Sequence, residues 1–320
     1  MPGACRVLLA ALLALGVATP ARADEPVPIT VQLDWKPGVQ FAGLLVAQER
    51  GWYRDAGLAV TIRANDFRRP YVDVVAESDS TVGTSEARTL VNARAAGRPI
   101  RAVATMFQAS PVVLISRMGR GLTTVDALAG KTIGIHRPED LAMLRTVFGV
   151  RPFTARQVGF EFKELLAGEV DAAPGYLMDE PLRLAQNGTE VSVVPLAEYG
   201  WTDYAQVLFV SEAFLSKNSA ALERFLIVTF RGWRTALAEP DATAASIAKQ
   251  YPTDLNPASL RKSLSRIGPL LTAESNHAGT MRPETWQRII VQATADERTR
   301  APIKIEELVD FRYMPTLEKD

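Results

Sequence analysis

Nine side chains carry most of the chemistry legible in this sequence: Trp35, Gln40, Phe41, Thr84, Ser85, Phe107, Gln108, Tyr176 and Glu180. Four are aromatic; the others offer two hydroxyls, two amides and a carboxyl. Such a set stacks and hydrogen-bonds rather than making covalent bonds. A ring stack contributes about 0.5–1.5 kcal/mol beyond area burial. Three stacks with one charge-assisted hydrogen bond reach micromolar binding, about −8 kcal/mol. Covalent chemistry has little to work with. Cys5, His136 and His277 are the whole complement of cysteine and histidine. That excludes a disulfide framework and a Cys/His zinc cluster, and leaves little for a nucleophilic site. Neither a metal nor a cofactor is expected.

Plainer roles compete with these. Trp35 could cap a sheet edge, Phe107 and Tyr176 could be core rings, and Thr84 or Ser85 could cap a helix. An exposed helix start there could equally hold a carbonyl or an anion. Glu180 precedes Pro181 at a helix start, where the dipole favours a carboxylate, but it also suits a ring amino group. Arg137, beside His136, reads as a solvated surface residue, with a clamp on an acidic substituent as the alternative. Trp233 lies on an apolar helix and reads as core, His277 as a loop residue.

The positioning elements alternate between strand and helix. Ile29 to Leu33 is a β-branched run, followed by the loop from Asp34 and a helical stretch from Phe41 to Arg50 that stops at Gly51. Strands are predicted at Leu58–Ile62, Ile100–Met106, Val112–Ser116, Lys131–Ile135, Val191–Val194 and Val207–Val210, while Ala172-Ala173 leads through Gly175 into Tyr176. Helices are predicted at Thr84–Ala96, from about Pro138, at Phe160–Ala167, from Pro181 to Gly188, and over much of the remainder. This pattern implies parallel α/β layers. Open α/β sheets bind ligands beyond the carboxyl ends of their strands, and the nine residues sit in such loops.

The 320 residues suffice for about two domains. No Gly/Ser linker separates them, so crossing strands are expected to join them. Met1 to Ala23 reads as a secretory signal: Arg6, the apolar run Val7–Val17, then Ala21-Arg22-Ala23. Its removal takes away Cys5, Arg6 and Arg22 and leaves 34 basic against 36 acidic side chains. A balance this close to zero argues against a nucleic-acid partner. The expected destination is the periplasm.

Longer motifs carry a family resemblance. The stretch Leu33-Asp34-Trp35-Lys36-Pro37-Gly38-Val39-Gln40-Phe41-Ala42-Gly43 is followed by Gly51-Trp52-Tyr53, Val82-Gly83-Thr84-Ser85-Glu86 and Phe107-Gln108-Ala109-Ser110-Pro111. Later come Leu166-Ala167-Gly168-Glu169-Val170-Asp171-Ala172, Tyr176 with Asp179-Glu180-Pro181, Tyr199-Gly200 and Arg231-Gly232-Trp233. Together they resemble a family of periplasmic substrate-binding proteins of ABC transporters, related to yeast thiamine-pyrimidine synthase and to bacterial hydroxymethylpyrimidine-precursor binders. The resemblance implies an α/β, two-lobed periplasmic binding protein fold (type II-like), with the second lobe inserted into the first. The implied division is a signal at 1–23, lobe 1 at 24–115 and 209–320, and lobe 2 at 116–208, with crossings near Ser116 and Leu208. It implies a monomeric, non-enzymatic binder that takes a thiamine-pyrimidine precursor or similar small aromatic to an ABC permease at the inner membrane. Gly38 and Phe41 stand where many relatives carry Asn and His, and the region from Gly149 to Phe162 looks short. A sulfonate or nitrate ligand, or a sensing role, is the alternative.

Overall fold

The computed structural model describes residues 25–295 and 303–314; the signal expected at Met1–Ala23 lies outside them. The chain opens with β1 (Val27–Gln32), β2 (Leu58–Arg63), β3 (Thr81–Ser85) and β4 (Ile100–Phe107). It then crosses to a second sheet made of β5 (Val112–Arg117), β6 (Thr132–Ile135), β7 (Thr154–Gln157), β8 (Ala172–Tyr176) and β9 (Val191–Pro195). It returns to the first sheet as β10 (Ala205–Ser211). The strand orders are β2-β1-β3-β10-β4 and β7-β6-β8-β5-β9. Helices cover both sheets, and each sheet separates two apolar clusters. The result is two α/β lobes, the second interrupting the first.

Neither sheet is purely parallel, contrary to expectation. β1 pairs in parallel with β2 and β3, but β10 runs antiparallel to β3 and β4, and β5 antiparallel to β8 and β9. The reversed strands are those that enter a sheet directly from a crossing, without the helical crossover that parallel neighbours need. The crossings also lie away from the expected residues. Ser116 and Leu208 sit inside β5 and β10, and the chain changes sheet at 108–111 and 196–204. Gln108 explains the first position. Its N–H donates to the Leu270 carbonyl at 2.7 Å and its Nε2 to that of His277 at 2.7 Å, while its Oε1 accepts from Glu274 and Ser275, each at 2.9 Å. The chain is pinned immediately after β4, so pairing in the second sheet begins at Val112.

Two further expectations are corrected. The helix expected from Thr84 is Ala87–Ala95, with Glu86 as its N-cap residue, and Thr84 and Ser85 belong to β3. The helix expected from Phe160 spans only Lys163–Ala167. β7 and the short helix Tyr71–Ala76 carried no clear sequence signal.

The helix Ala42–Glu49 follows the Trp35 loop, and its position is set by the long helix Glu212–Ala238. A Cβ on Gly232 would lie 2.0 Å from the Gly43 carbonyl oxygen, and one on Gly43 would lie 2.3 Å from the Trp233 ring. Two glycines therefore let the backbones meet, and Trp233 fills the core beside them, fully buried as its apolar surroundings suggested.

Candidate functional site

A cleft of about 200 Å³ opens between the lobes. From the first lobe it is lined by Asp34 and Trp35 beyond β1, Gln40, Tyr71, Glu86 beyond β3, and Arg88. From the second lobe come His136 and Arg137 beyond β6, Phe160, Tyr176 at the end of β8, Asp179 and Glu180. The return crossing adds Trp201, Asp203 and Gln206.

Aromatic rings face one another across this cleft. Trp35 lies 5.5 Å from Phe160 between centroids, at 54°, and is buttressed edge-on by Phe67 at 5.2 Å. Phe160 in turn stacks on His136 at 4.5 Å and 15°. The His136 Nε2–H donates to the Pro174 carbonyl at 2.8 Å, while its Nδ1 is buried without a partner among the described residues. A second bridge between lobes is polar: the Tyr176 hydroxyl donates to Glu86 Oε1.

Hydrogen bonds from behind fix the lining. The Thr84 hydroxyl accepts from the Asp34 N–H at 3.0 Å and donates to Asp34 Oδ1 at 2.7 Å. The Ser85 and Tyr71 hydroxyls share a bond of 2.9 Å. Glu180 Oε2 accepts from the Tyr176 N–H at 2.7 Å. A Cβ on Gly175 would stand 3.1 Å from that oxygen and 2.6 Å from Ile115, so a glycine is what lets Glu180 come this close. Asp203 Oδ1 accepts from the Arg88 N–H at 3.2 Å, and the Arg88 guanidinium lies 4.4 Å over the Trp201 ring.

Among the described residues the lining counts seven carboxyl groups against two guanidinium groups. Crowded carboxyls in a low-dielectric cleft resist ionisation. Burial pushes Asp34 up to about 6 despite the Thr84 hydroxyl, with Glu86 adding to the rise. Burial and then the neighbouring Asp179 push Glu180 up to about 7. Burial and then Glu86 hold Asp203 well above the usual carboxylate range. Near neutral pH such groups can both donate and accept, which suits the amino, imino and carbonyl edge of a nitrogen heterocycle.

Of the nine residues singled out in the sequence, Trp35, Gln40, Tyr176 and Glu180 line the cleft. The other five do not. Phe41 is a core ring, and Phe107 is buried edge-on against Trp233 at 5.9 Å. Thr84 and Ser85 are buried behind the lining, where they hold Asp34 and Tyr71, and cap no helix. The amide of Gln108 is consumed by the loop at 274–277. Arg137, read as a surface residue, is exposed yet lines the cleft, its guanidinium 5.9 Å from the Phe160 centroid. Sequence reasoning missed Tyr71, Phe160, Trp201, Asp203 and Gln206. The one available signal was an aromatic and a carboxylate two residues apart after Gly200, in a stretch with no periodicity.

The family model described as "NMT1/THI5 like" matches residues 39–243. Riboflavin-binding protein RibY of Chloroflexus aurantiacus is 26% identical, over 97% of this chain and 95% of that protein. The formylaminopyrimidine-binding protein of Halalkalibacterium halodurans is 22% identical, over 94% of this chain and 96% of its own. Among solved structures, the periplasmic aliphatic sulphonate binding protein SsuA from Escherichia coli superposes with a TM-score of 0.70. It is 14% identical and covers 88% of this chain and 91% of its own. At that identity the likeness speaks for the fold alone: this is the two-lobed periplasmic binding protein fold.

Proposed function

The chain belongs to the NMT1/THI5-like family, and from that footing we propose that it is the periplasmic solute-binding component of an ABC importer. Its ligand is a thiamine-pyrimidine precursor or a similar flat, nitrogen-bearing aromatic. The observation that carries this reading is the cleft itself, where Trp35 and Phe160 meet from opposite lobes within a carboxyl-rich lining. A ring seated in the cleft beside this pair touches both lobes at once. Such contacts exist only in the closed form, so the ligand drives closure by its differential affinity for that form. The protein works as a monomer after loss of Met1–Ala23, and hands its ligand to a permease at the inner membrane.

Electrostatics weigh against a sulfonate or nitrate ligand. The lining sets seven carboxyls, three of them resisting ionisation, against Arg88 and Arg137, so an anion gains little net attraction there, whereas an uncharged heterocycle meets donors and acceptors. Binding rather than synthase chemistry is supported by the two relatives aligned over at least 94% of this chain, both named for what they bind.

A thermal-shift screen with riboflavin, formylaminopyrimidine and ethanesulfonate tests the reading. Stabilisation should grow as RT ln(1 + [L]/Kd), about 2.7 kcal/mol at one hundred times Kd, for at least one ring compound and not for the sulfonate. Trp35→Ala should fold normally and lose that response. Stabilisation by ethanesulfonate alone would overturn the ligand class.

A further inference from the structure

Gln206 breaks two local rules in one place. It is the second residue of β10, yet its φ is +54°, in the left-handed region that residues other than Gly and Asn rarely enter. The side-chain alternation of the strand fails there. Val207 and Phe209 pack in one core cluster and Leu208 and Val210 in the other, but Ala205 packs with Leu208 rather than with Val207. Gln206 is also left out of the ladder, between the pairs Ala205↔Phe107 and Val207↔Thr105, and the pairing with β3 starts only at Val207↔Ser85. Its side chain joins neither cluster and lines the cleft. It is 1% exposed, and its Oε1 has no hydrogen-bond partner among the described residues.

A strained backbone and an unsatisfied buried acceptor persist at one residue when function requires both. The neighbouring wall is already committed, since Asp203 holds the Arg88 N–H and Arg88 lies on Trp201. The Gln206 amide is the part held in reserve. We propose that Gln206 is a specificity-determining residue of the cleft: its amide oxygen accepts a hydrogen bond from an N–H or O–H group of the bound ring or its substituent. A site built to pair such a donor discriminates strongly against analogues that lack it. This inference rests on the ring-binding reading above.

Affinities for riboflavin and formylaminopyrimidine, measured by titration calorimetry, should be compared among wild type, Gln206→Leu and Gln206→Gly, with the urea midpoint of each ligand-free protein. For whichever probe binds wild type, both variants should lose about 10- to 100-fold in affinity, about 1.4–2.8 kcal/mol. The ligand-free Gln206→Leu protein should be no less stable than wild type, and Gln206→Gly should be more stable, because glycine suits a positive φ. Affinities within twofold of wild type in both variants would overturn the inference and leave the ring-binding reading intact. So would a loss of ligand-free stability in both with affinity retained. A wild-type protein that binds neither probe overturns the ring-binding reading and this inference with it.

Discussion

Tyr176→Phe isolates the polar bridge between the lobes. The hydroxyl of Tyr176, at the end of β8 in the second lobe, donates to Glu86, beyond β3 in the first. The ring also packs against the main core cluster, so phenylalanine keeps the packing and deletes one hydrogen bond. Bonds to charged groups contribute about 1.5–3 kcal/mol net. Because this one spans the cleft, its loss falls on the closed form alone. At 1.4 kcal/mol per tenfold, the open–closed equilibrium moves by about 10- to 150-fold. Where the open form dominates without ligand, the whole factor appears in Kd. Calorimetric titration with a ring ligand reads it, and small-angle scattering reports the larger radius of the variant at subsaturating ligand. Combining Tyr176→Phe with Glu86→Gln should add little to the single changes, since each breaks the same bond. An affinity within twofold of wild type for Tyr176→Phe would refute the argument, because the bond would then be replaced rather than lost on opening.

The raised carboxyls make stability depend on pH with a definite sign. Glu180, pushed from its ordinary 4.5 up to about 7 by burial and Asp179, with Arg183 opposing, stabilises the fold fully below about 4.5 and loses that contribution as pH rises through 7. Glu180→Gln keeps an oxygen for the Tyr176 N–H and removes the titration. It should therefore gain about 2–3 kcal/mol on wild type between pH 5 and pH 8, read by urea unfolding; parallel curves would refute the assignment. Gly232→Ala should lose about 3 kcal/mol or more, because its Cβ would meet the Gly43 carbonyl oxygen at 2.0 Å and backbone cannot swing aside as a side chain does. An unchanged melting temperature would refute that contact.

Much of the scaffold was legible because local and tertiary preferences agree in it. The β-branched run at β1, the glycine stop at Gly51 (φ +74°) and the strand-rich stretches at β4 and β5 are where periodicity put them. β3 was not legible. Thr84 and Ser85 after Gly83 imitate a helix start, but Gly83 lies in a strand paired with Gln32 and Phe209, and it is a glycine because Phe209 and Val75 press to within 2.3 and 2.7 Å of where its Cβ would be. No neighbour in sequence announces that pressure. The strand-end rule found Trp35, Gln40, Tyr176 and Glu180, because their loops are fixed by β1 and β8. It misplaced Phe41 and Phe107, since a loop position does not say which way a ring turns. Trp201, Asp203 and Gln206 enter the cleft only because the chain returns between the lobes.

Departures from local consistency gather in the cleft. Gln206 holds a left-handed φ within a strand, Asp179 and Glu180 are adjacent acids taken from water together, and Asp34 keeps its carboxyl beside Glu86. By contrast, the contact between the helices Ala42–Glu49 and Glu212–Ala238 meets its packing demands with two glycines and a buried tryptophan. Sequences that fold well agree across levels and break that agreement at functional sites. The carboxyl departures are relieved by an uncharged, hydrogen-bonding partner and worsened by an anion. A ring nitrogen or amino group can take the proton of a raised carboxyl or donate to its ionised form, while a sulfonate would meet a lining with more carboxyl than guanidinium groups. The tensions among the lining carboxyls therefore favour the same class of molecule as the aromatic rings do.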